Sequence, residues 1–530
     1  MKESKLHISK SADYNVMPNT EKNILENFIT EFTKNKDEYF AWDATSGTST
    51  RKSFMLKAAV VSQLIKSRVK GKYVGIMLPA LQSTTLLTIA SYMAGKIPVM
   101  LNWTVGHKVL SYCANLTELD VIITADAFYD KIKEQLPDDV TDRLLLLDKE
   151  VKNISLSMKL KGMLMATFPK LLINTNINET AVVLFTSGSE TLPKAVELSH
   201  KNVVNDLWGS LQLFDIRVQG IFLSFLPPFH SFGFTVLTVL PLITAVKVAY
   251  TPNPTNLREV VEALKHNKAN NIMVTPTLLK MLMARAEKED FSTVELVISG
   301  AESLHIDILN NYNEITDNKS LIVEGYGITE CSPIVCLNPS DKQKLNSVGK
   351  FIKGIDYHIM DLDSEKPLGV NEEGMIIVRG ESVFSGYMDK NIESPFIDIE
   401  GKSYYRTGDL GYIDEDGYVF ITGRLKRFIK IGGEMISMPF IEKVLEEKYG
   451  EEGRHVLAVE GSDRGKDPVV TLFSLNELDL KEVNKHLRDS GVASIAKIRD
   501  IKIVEEIPML GSGKTNYRAL KEIIEKEFDK

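Results

Sequence analysis

Residues 186–194 combine hydroxyl side chains, a glycine, a carboxylate and a lysine directly after an apolar run at 181–185. Hydroxyl groups and a glycine let a loop fold closely around an oxyanion and present N–H and O–H donors to it. A lysine at the far end adds a compact positive charge. The candidate phosphate ligands are Thr186, Ser187, Gly188, Ser189, Glu190 and Lys194. The same composition is also typical of a plain polar turn after a core strand, so the other motifs must decide.

Two more clusters of small and polar residues follow predicted strands at 294–299 and 321–323. The first is Gly300, Ala301 and Glu302, and the second runs over 324–330. Ligands of open α/β sheets bind just beyond the carboxyl ends of the strands. In the second cluster, Tyr326 can stack on a base and Glu330 can hold a divalent cation. A solvated carboxylate is the alternative for Glu330.

The segment 225–233 has the sequence Phe-Leu-Pro-Pro-Phe-His-Ser-Phe-Gly. The adjacent prolines predict a turn, and His230 lies among aromatic residues. A lone histidine in such a place is more often structural than catalytic. The segment holds no Asp or Glu to pair with a substrate ammonium. It therefore suits a carboxylic acid with an apolar body better than an amino acid.

Two further candidate site residues, Asp409 and Lys514, lie in the last quarter of the chain. Asp409 ends the run Tyr-Tyr-Arg-Thr-Gly-Asp at 404–409 and can bind ribose hydroxyls. Lys514 lies in Gly-Ser-Gly-Lys-Thr near the C-terminus. A phosphate-binding P-loop would need a glycine where Pro508 stands, together with a strand–loop–helix core, so that interpretation fails. What remains is a lysine on a glycine-flanked loop, suited to entering a site built elsewhere.

The elements that must position these residues alternate between apolar strands and amphipathic helices up to about residue 350, which predicts an α/β fold with largely parallel sheets. Short β runs with glycine turns follow, and predict a small antiparallel region at about 350–425. A composition break at 423–433 separates a smaller α+β part. We therefore expect a large N-terminal domain over 1–425 and a small mobile C-terminal domain over 426–530.

Composition excludes several classes of protein. A net charge of −8 over 530 residues argues against bulk nucleic-acid binding. Cys113, Cys331 and Cys336 form no zinc-binding pattern, and three cysteines fit a reducing compartment. Residues 1–20 contain no apolar core of a signal peptide. We expect a cytoplasmic protein, with a peripheral position at the inner membrane face as the alternative.

That alternative rests on residues 158–173, where leucine, methionine and phenylalanine alternate with lysines. A basic amphipathic segment can lie on an anionic membrane surface. A connector packed on the domain is equally compatible with the composition, and Pro169 favours it because it interrupts the helical pattern.

Taken together, the motifs resemble the adenylate-forming superfamily of acyl-CoA synthetases, peptide-synthetase adenylation domains and beetle luciferases. The resemblance runs in family order from about residue 20 to 525. The matching segments are 186–194, 227–233, 300–302, 326–330, 374–387, 405–409, 423–433 and 511–514. Segments 185–190, 227–233 and 423–428 look most like the acyl-[acyl-carrier-protein] synthetase half of bifunctional lysophospholipid acyltransferases, here expected as a stand-alone enzyme. Thr191 and Ala195 depart from the family pattern, where glycine is usual.

The resemblance implies a role for each matching residue. Residues 186–194 would wrap the β- and γ-phosphates of ATP, and Thr186 with Glu330 would hold Mg²⁺. Lys514 would bridge the substrate carboxylate and the α-phosphate, and Lys426 would be the hinge of a domain rotation. The remaining implied contacts are Gly300, Ala301, Glu302 and Tyr326 for adenine; Asp409 and Arg424 for ribose; Gly327, Thr329 and Ile421 for ATP more generally; Lys430, Gly432 and Gly433 for a pantetheine channel; and Phe229, His230, Phe234 and Gly325 for an acyl pocket.

The resemblance thus implies an AMP-forming acid–thiol ligase that uses ATP and Mg²⁺ to activate a fatty acid, with acyl-carrier protein or CoA as the thiol acceptor. The alternative is a non-catalytic protein that kept the fold. Residues 424–530 contain 20 Lys and Arg against 20 Asp and Glu, a net charge of zero, so the remainder carries the whole −8. Carrier proteins are acidic, and we expect Arg427, Lys497, Arg499 and Lys502 as docking candidates.

Overall fold

The structure is a computed structural model that describes residues 17–173, 177–186, 192–214, 220–431, 434–451, 454–462, 468–490, 492, 496–510 and 515–528. Its α-helices are α1 (Ile24–Phe32), α2 (Arg51–Arg68), α3 (Gln82–Met93), α4 (His107–Leu116), α5 (Asp126–Ile132), α6 (Asp138–Thr141), α7 (Leu147–Lys152), α8 (Leu156–Thr167), α9 (Lys170–Ile173), α10 (His200–Ser210), α11 (Ser231–Phe234), α12 (Leu240–Thr244), α13 (Leu257–Asn267), α14 (Pro276–Arg285), α15 (Ile306–Ile315), α16 (Met438–Tyr449), α17 (Leu480–Asp489) and α18 (Tyr517–Phe528).

The strands of the N-terminal part are β1 (Tyr39–Asp43), β2 (Gly47–Thr50), β3 (Tyr73–Ile76), β4 (Ile97–Met100), β5 (Ile122–Thr124), β6 (Leu144–Leu146), β7 (Thr180–Phe185), β8 (Ala195–Ser199), β9 (Ile221–Ser224), β10 (Lys247–Tyr250), β11 (Asn271–Val274), β12 (Leu296–Gly300), β13 (Leu321–Gly327), β14 (Ile334–Leu337) and β15 (Lys350–Phe351). Those that follow are β16 (Ile355–Met360), β17 (Gly374–Gly380), β18 (Phe396–Ile399), β19 (Lys402–Ile413), β20 (Val419–Arg424), β21 (Phe428–Ile431), β22 (Glu434–Ser437), β23 (Leu457–Ser462), β24 (Val469–Ser474) and β25 (Asp500–Ile503).

Two mostly parallel sheets form the bulk of the N-terminal part. One has the strand order β6-β5-β3-β4-β7-β8, and the other β15-β14-β13-β12-β11-β9-β10-β1-β2. Their central pairs are parallel, as with β12 beside β13. Helices are needed to cover such sheets, because both faces of a parallel sheet are apolar. The α/β fold class expected from the alternating pattern is confirmed.

A sheet of antiparallel strands follows, in the order β16-β17-β19-β18 with β20 paired to β19. It spans 355–424 and agrees with the β-rich region predicted at about 350–425. Beyond it, β21 pairs with β22, and β23-β24-β25 form a third small sheet. Ile429, Leu445 and Leu487 belong to a buried cluster that is separate from the main core. The domain limits 1–425 and 426–530 stay a prediction.

Local sequence explains several element ends. Ser199 caps α10: its side chain accepts a hydrogen bond from the Asn202 N–H. The helix ends at Ser210. Strand β13 runs through Gly327, four residues past its predicted end, because the antiparallel neighbour β14 pairs with Gly325, Tyr326 and Gly327. These residues therefore lie in a strand and not in a loop beyond it.

Residues 158–173 fold as α8 and α9, which are separated at Phe168 and Pro169. Helix α8 packs against α2. Within the residues that the structure describes, no helix has both the length and the apolarity needed to cross a bilayer.

Candidate nucleotide and acid site

The candidate phosphate loop is the connection of the β7–β8 hairpin. Phe185 pairs with Ala195 at its base, and the Thr186 N–H donates to the Lys194 carbonyl at 3.0 Å. Thr186 is half-buried. The rest of the loop, Ser187, Gly188, Ser189, Glu190 and the departure Thr191, lies outside the described residues. The apolar strand before this loop was predicted from the sequence, whereas its antiparallel partner was not.

Lys194 and Glu330 are joined through a residue that sequence reasoning did not assign to the site. The Lys194 Nζ lies 4.4 Å from the centre of the Tyr387 ring. The Tyr387 hydroxyl donates to Glu330 Oε1 at 2.9 Å. Burial and the neighbouring Glu330 charge raise the pKa of Tyr387, which keeps its hydroxyl protonated as a donor. Tyr387 closes the matching segment 374–387, and that position was the signal available in the sequence.

The departure Ala195 also lies at this junction. It is fully buried, and its carbonyl accepts a hydrogen bond from the Met388 N–H at 3.0 Å. The segment after Tyr387 is therefore tied to the first residue of β8. This contact uses the backbone, so it does not require glycine at position 195.

Glu330 and Thr186 are the predicted Mg²⁺ ligands. Glu330 is 9% exposed, and its second carboxylate oxygen leaves acceptor capacity beyond the Tyr387 contact. No group of three or more His, Cys, Asp or Glu residues that could hold a metal occurs in the described ranges. One carboxylate and one hydroxyl are hard oxygen ligands that fit Mg²⁺ when substrate phosphates supply further ligands.

Asp409 lies at the centre of a three-residue network. Its carboxylate is 2% exposed and accepts from the Tyr326 hydroxyl at 2.5 Å and from Arg424 Nε at 2.7 Å. Asp409 and Arg424 are cross-strand partners on β19 and β20. The Asp409 charge raises the pKa of Arg424, and burial raises the pKa of Tyr326 well above its ordinary value. Three predicted nucleotide residues thus meet, although Tyr326 and Asp409 are 83 positions apart in sequence and Arg424 is 15 further on.

Gly300 is the last residue of β12, and Ala301 and Glu302 follow it. Ala301 has a φ of +74°, a left-handed conformation that turns the chain sharply away from the strand. The Glu302 carboxylate accepts from the Thr277 N–H at 3.1 Å and the Thr277 hydroxyl at 2.7 Å. Thr277 stands in the first turn of α14, where a carboxylate is favoured by the free N–H groups of the helix. Glu302 is thereby held in place by the helix and not by solvent.

Three of the residues predicted for an acyl pocket, Phe229, His230 and Phe234, lie in or just before α11. Phe229 and Phe234 are buried, and His230 immediately precedes the helix. The Phe229 ring meets His230 at 4.6 Å and Trp103 at 4.8 Å between centroids. Sequence reasoning missed Trp103, because nothing local links it to this segment. Thr235–Val239 continues α11 as a π-helical turn, a feature that is frequent at functional sites.

A hydroxyl contact links this apolar segment to the nucleotide motif. The Ser231 and Thr329 hydroxyl oxygens lie 3.3 Å apart. Gly325, predicted in the acyl pocket, is close-packed: an added Cβ would approach Leu337 Cδ2 to 2.6 Å. The space at Gly327 is smaller still, because a Cβ added there would lie 2.4 Å from Pro333 O. Ile421, on β20, is half-buried opposite Gly411.

The C-terminal candidates are only partly described. Lys426 lies in a single 3₁₀ turn, Leu425–Arg427, and Lys430 lies in β21, but their side chains are not among the described atoms. Gly432, Gly433 and Lys514 lie outside the described residues. An isolated antiparallel β-bridge joins Met509 and Thr515. The Thr515 hydroxyl lies 2.8 Å from His455 Nε2.

The C-terminal part contacts the nucleotide side through α14. The Lys280 Nζ donates to the Glu451 carbonyl at 2.5 Å and to the Arg454 carbonyl at 3.3 Å. Burial raises the pKa of Glu446 to about 7; the charges of Glu442 and Glu302 add to the shift, and Lys280 opposes it. Glu302 is therefore close enough to α16 to influence the titration of Glu446.

Two of the four expected carrier-docking residues are not available at the surface. The Arg427 side chain is 16% exposed; it lies 3.5 Å above the Tyr517 ring and donates to the Val459 carbonyl at 2.6 Å. The Lys502 side chain is 15% exposed. Lys497 and Arg499 are exposed. The expectation was wrong for Arg427, because two carboxylates and an aromatic ring surround it.

The two mostly parallel sheets carry the β7–β8 hairpin and Tyr326, whose hydroxyl donates to Asp409 of the antiparallel sheet. The family of AMP-binding enzymes matches residues 48–388. The chain belongs to this family, and its relatives point to the class of AMP-forming acid–thiol ligases.

Individual relatives agree with this assignment. A long-chain-fatty-acid–CoA ligase of Bacillus subtilis (strain 168) is 26% identical over 489 residues, which cover 86% of each chain. ATP-bound MatB from Rhodopseudomonas palustris superimposes with a TM-score of 0.77 at 22% identity, over 96% of this chain and 100% of that one. O-succinylbenzoate coenzyme A synthetase of Bacillus subtilis, in complex with ATP and magnesium ion, gives a TM-score of 0.74 at 19% identity, over 93% and 99%. The fold expected from the motifs is that of these enzymes.

Proposed function

We propose that this protein activates a fatty acid with ATP as an acyl-adenylate and then transfers the acyl group to a phosphopantetheine thiol. The observation that carries the proposal is the contact between the Ser231 and Thr329 hydroxyls. It joins an acid-free aromatic segment to the motif that contains Tyr326 and Glu330. An apolar acid and a nucleotide can therefore be bound side by side.

The nucleotide end is supported by the network around Asp409. A carboxylate offers about four acceptor positions, of which Tyr326 and Arg424 use two. The remaining positions suit the two hydroxyls of a ribose. Lys194 and Thr186, at the base of the hairpin loop, are the described part of the proposed triphosphate site.

The acid end is supported by the residues that line it. Phe229 and Phe234 are buried, and Trp103 packs on Phe229. The transfer of a hydrocarbon chain from water into such surroundings is favourable. The named activity of the Bacillus subtilis relative, on long-chain fatty acids, supports the same substrate class.

In the first step, a carboxylate oxygen attacks the α-phosphorus of ATP, and the bond from that phosphorus to the bridging oxygen of pyrophosphate breaks. An anion approaches a polyanion, so positive charge is needed where negative charge accumulates. Mg²⁺, held by Thr186 and Glu330 with the phosphates, would supply part of it. We assign the remainder to Lys514, which bridges the carboxylate and the α-phosphate.

In the second step, a pantetheine thiolate attacks the acyl carbon, and AMP leaves with one of the original carboxylate oxygens. We propose that the C-terminal part rotates about Lys426 between the steps. Lys514 then leaves, and Lys430, Gly432 and Gly433 line the thiol channel. Glycines suit a narrow channel because they have no side chain.

The direct test is acid-dependent release of pyrophosphate from ATP and Mg²⁺ with long-chain fatty acids. Lys514→Ala should lose about 10²–10³-fold in kcat, since a preorganised group of this kind contributes about 3–4 kcal/mol. ATP binding should persist. Lys526→Ala, which removes an exposed lysine at the end of α18, is the matched control and should retain full activity.

Normal turnover of Lys514→Ala would refute the mechanism. Absence of acid-dependent pyrophosphate exchange in the wild-type protein, across a broad panel of acids, would favour the alternative of a protein that kept the fold without the chemistry.

The acceptor is either acyl-carrier protein or CoA. The resemblance to acyl-[acyl-carrier-protein] synthetases supports the first, and the CoA ligase among the relatives supports the second. Lys497 and Arg499 are the exposed docking candidates. Their reversal to Glu should raise the KM for carrier protein and leave pyrophosphate release intact. An unchanged KM would remove carrier docking at this surface.

The thiols support the proposed cytoplasmic location. Cys113, Cys331 and Cys336 are free and buried. Cysteines of this kind fit a reducing compartment. This supports a cytoplasmic reaction.

A further inference from the structure

One face of helix α8 packs against the rest of the protein. Gly162 is buried, and a Cβ added there would lie 2.7 Å from the Val60 Cα, so the helix backbone sits directly on α2. Met158, Met165 and Ala166, on the same side of α8, pack against the core. Leu172 is fully buried and anchors α9. The segment is thus held rigidly in a fixed orientation.

The opposite face is apolar and exposed. Seven large apolar side chains point away from the core: Leu156 (72% exposed), Leu160 (56%), Met163 (50%), Leu164 (52%), Phe168 (57%), Leu171 (44%) and Ile173 (38%). We call these residues the α8–α9 ridge. They make up seven of the eighteen large apolar side chains found exposed in the described part of the chain. Single exposed apolar residues are normal, whereas a contiguous group marks an interaction site.

The charges around the ridge have one sign. Lys159, Lys161 and Lys170 are exposed, and no Asp or Glu occurs between Asn153 and Asn178. At 100° per residue, Lys159 and Lys161 lie on opposite sides of Leu160. The ridge is therefore flanked by cations on both sides, in a protein whose net charge is −8.

A flat anionic bilayer matches this arrangement better than a protein partner of the same kind. The apolar side chains of the ridge are exposed, so they can enter the acyl-chain region while the lysine ammonium groups reach the phosphates. A second copy of the chain would bring two sets of lysines together, with no carboxylate in the segment to offset them. The shortness of α8 and α9 excludes a membrane span by this segment.

We propose that the α8–α9 ridge docks the protein on the surface of a membrane that contains anionic lipid. Insertion of the apolar side chains supplies the binding, and the lysines confer the preference for anionic headgroups. Binding is reversible and weakens as salt screens the charges. It does not depend on the proposed reaction, so vesicle binding and acid activation can fail separately.

The test is cosedimentation with vesicles of phosphatidylcholine alone and of phosphatidylcholine with phosphatidylglycerol at 3:1. We expect the wild-type protein to sediment with the anionic vesicles and to be released by about 0.5 M salt. Leu160→Glu with Leu164→Glu should reduce binding at least about tenfold, since two charges would enter the acyl-chain region. Lys159→Gln with Lys161→Gln should remove the preference for phosphatidylglycerol.

The matched control is Leu362→Glu with Val370→Glu, which adds the same charge at two exposed apolar positions far from the ridge in sequence. It should bind vesicles almost as wild type. All variants should keep the wild-type unfolding midpoint, because the changed side chains are exposed.

Three results would overturn the proposal. The wild-type protein stays in the supernatant with both vesicle types. The Leu160 and Leu164 variant binds as well as wild type. The third would be analytical ultracentrifugation without lipid in which the wild-type protein is a dimer and the Leu160 and Leu164 variant is a monomer. That result would assign the ridge to contact with a second copy of the chain.

Discussion

Replacing Asp409 by Asn removes one charge and little else. The amide oxygen can still accept from Arg424 Nε, and the amide nitrogen can donate to the Tyr326 hydroxyl oxygen, so both contacts survive in neutral form. What changes is the supply of acceptors. The carboxylate retains about two free acceptor positions for ribose, whereas the amide retains about one.

The magnitude follows from the kind of hydrogen bond that is lost. Bonds to a charged group contribute about 1.5–3 kcal/mol, and neutral ones about 1 kcal/mol. The difference to the ribose is then about 0.5–2 kcal/mol. Since 1.4 kcal/mol is a factor of ten, the KM for ATP should rise about 2- to 30-fold. The effect on folding should be modest, because both contacts of residue 409 persist in neutral form.

The assay is pyrophosphate release at varied ATP and saturating fatty acid, with the unfolding midpoint measured alongside. Glu365→Gln is the matched control: it neutralises an exposed carboxylate that pairs with Arg406 on the same sheet as Asp409, and should leave the KM within about twofold. A folded Asp409→Asn protein with the wild-type KM for ATP would refute the proposed ribose contact.

Three further predictions concern stability and the phosphate end. Gly327→Ala should lower the unfolding midpoint by several degrees, because the new Cβ would lie 2.4 Å from Pro333 O and overpacking costs about 1–3 kcal/mol. Burial raises the pKa of Glu324 from 4.5 to about 7, so between these values the folded state holds a proton that the unfolded state has lost, and stability falls as pH rises from about 5 to 8. In thermal unfolding, Glu324→Gln should make the midpoint depend less on pH over this range. An unchanged dependence of the midpoint on pH would contradict the assignment. Tyr387→Phe removes the donor to Glu330 and should raise the Mg²⁺ concentration needed for half-maximal activity about 2- to 10-fold, consistent with a hydrogen bond of about 0.5–1.5 kcal/mol.

Gly300→Ala is the control for the glycine prediction. Its Cβ would lie 3.5 Å from Gly325 O and 3.7 Å from the Phe232 ring, which is ordinary contact. Its unfolding midpoint should stay near wild type. If both glycine variants unfold alike, close packing at Gly327 is not the cause.

The sequence predicted strands and motifs well, because these depend on local patterns. The apolar run at 181–185 lies in strand β7, which pairs with β8 as an antiparallel neighbour. The extension of β13 through Gly327 was not predictable, because it depends on pairing with β14. Local composition cannot report which neighbour a strand will have.

Contacts between distant motifs could not be predicted from the sequence for the same reason. Tyr326 and Asp409 were each assigned to the nucleotide, but nothing local indicated that they bind each other. Arg427 counts as one positive charge in composition, yet the fold places it against Glu442 and Tyr517. The segment 158–173 had two interpretations, and the structure contains a feature of each: a packed face at Gly162 and an exposed face at Leu160.

The most direct test of the central claim follows the oxygen atoms of the acid. A fatty acid labelled with ¹⁸O in its carboxylate is turned over with ATP, Mg²⁺ and either CoA or acyl-carrier protein, and the nucleotide product is analysed by mass spectrometry. An acyl-adenylate predicts AMP that carries one ¹⁸O for each thioester formed, because the carboxylate oxygen bonded to the α-phosphorus leaves with AMP. Unlabelled AMP, or ADP with labelled inorganic phosphate, would contradict the account.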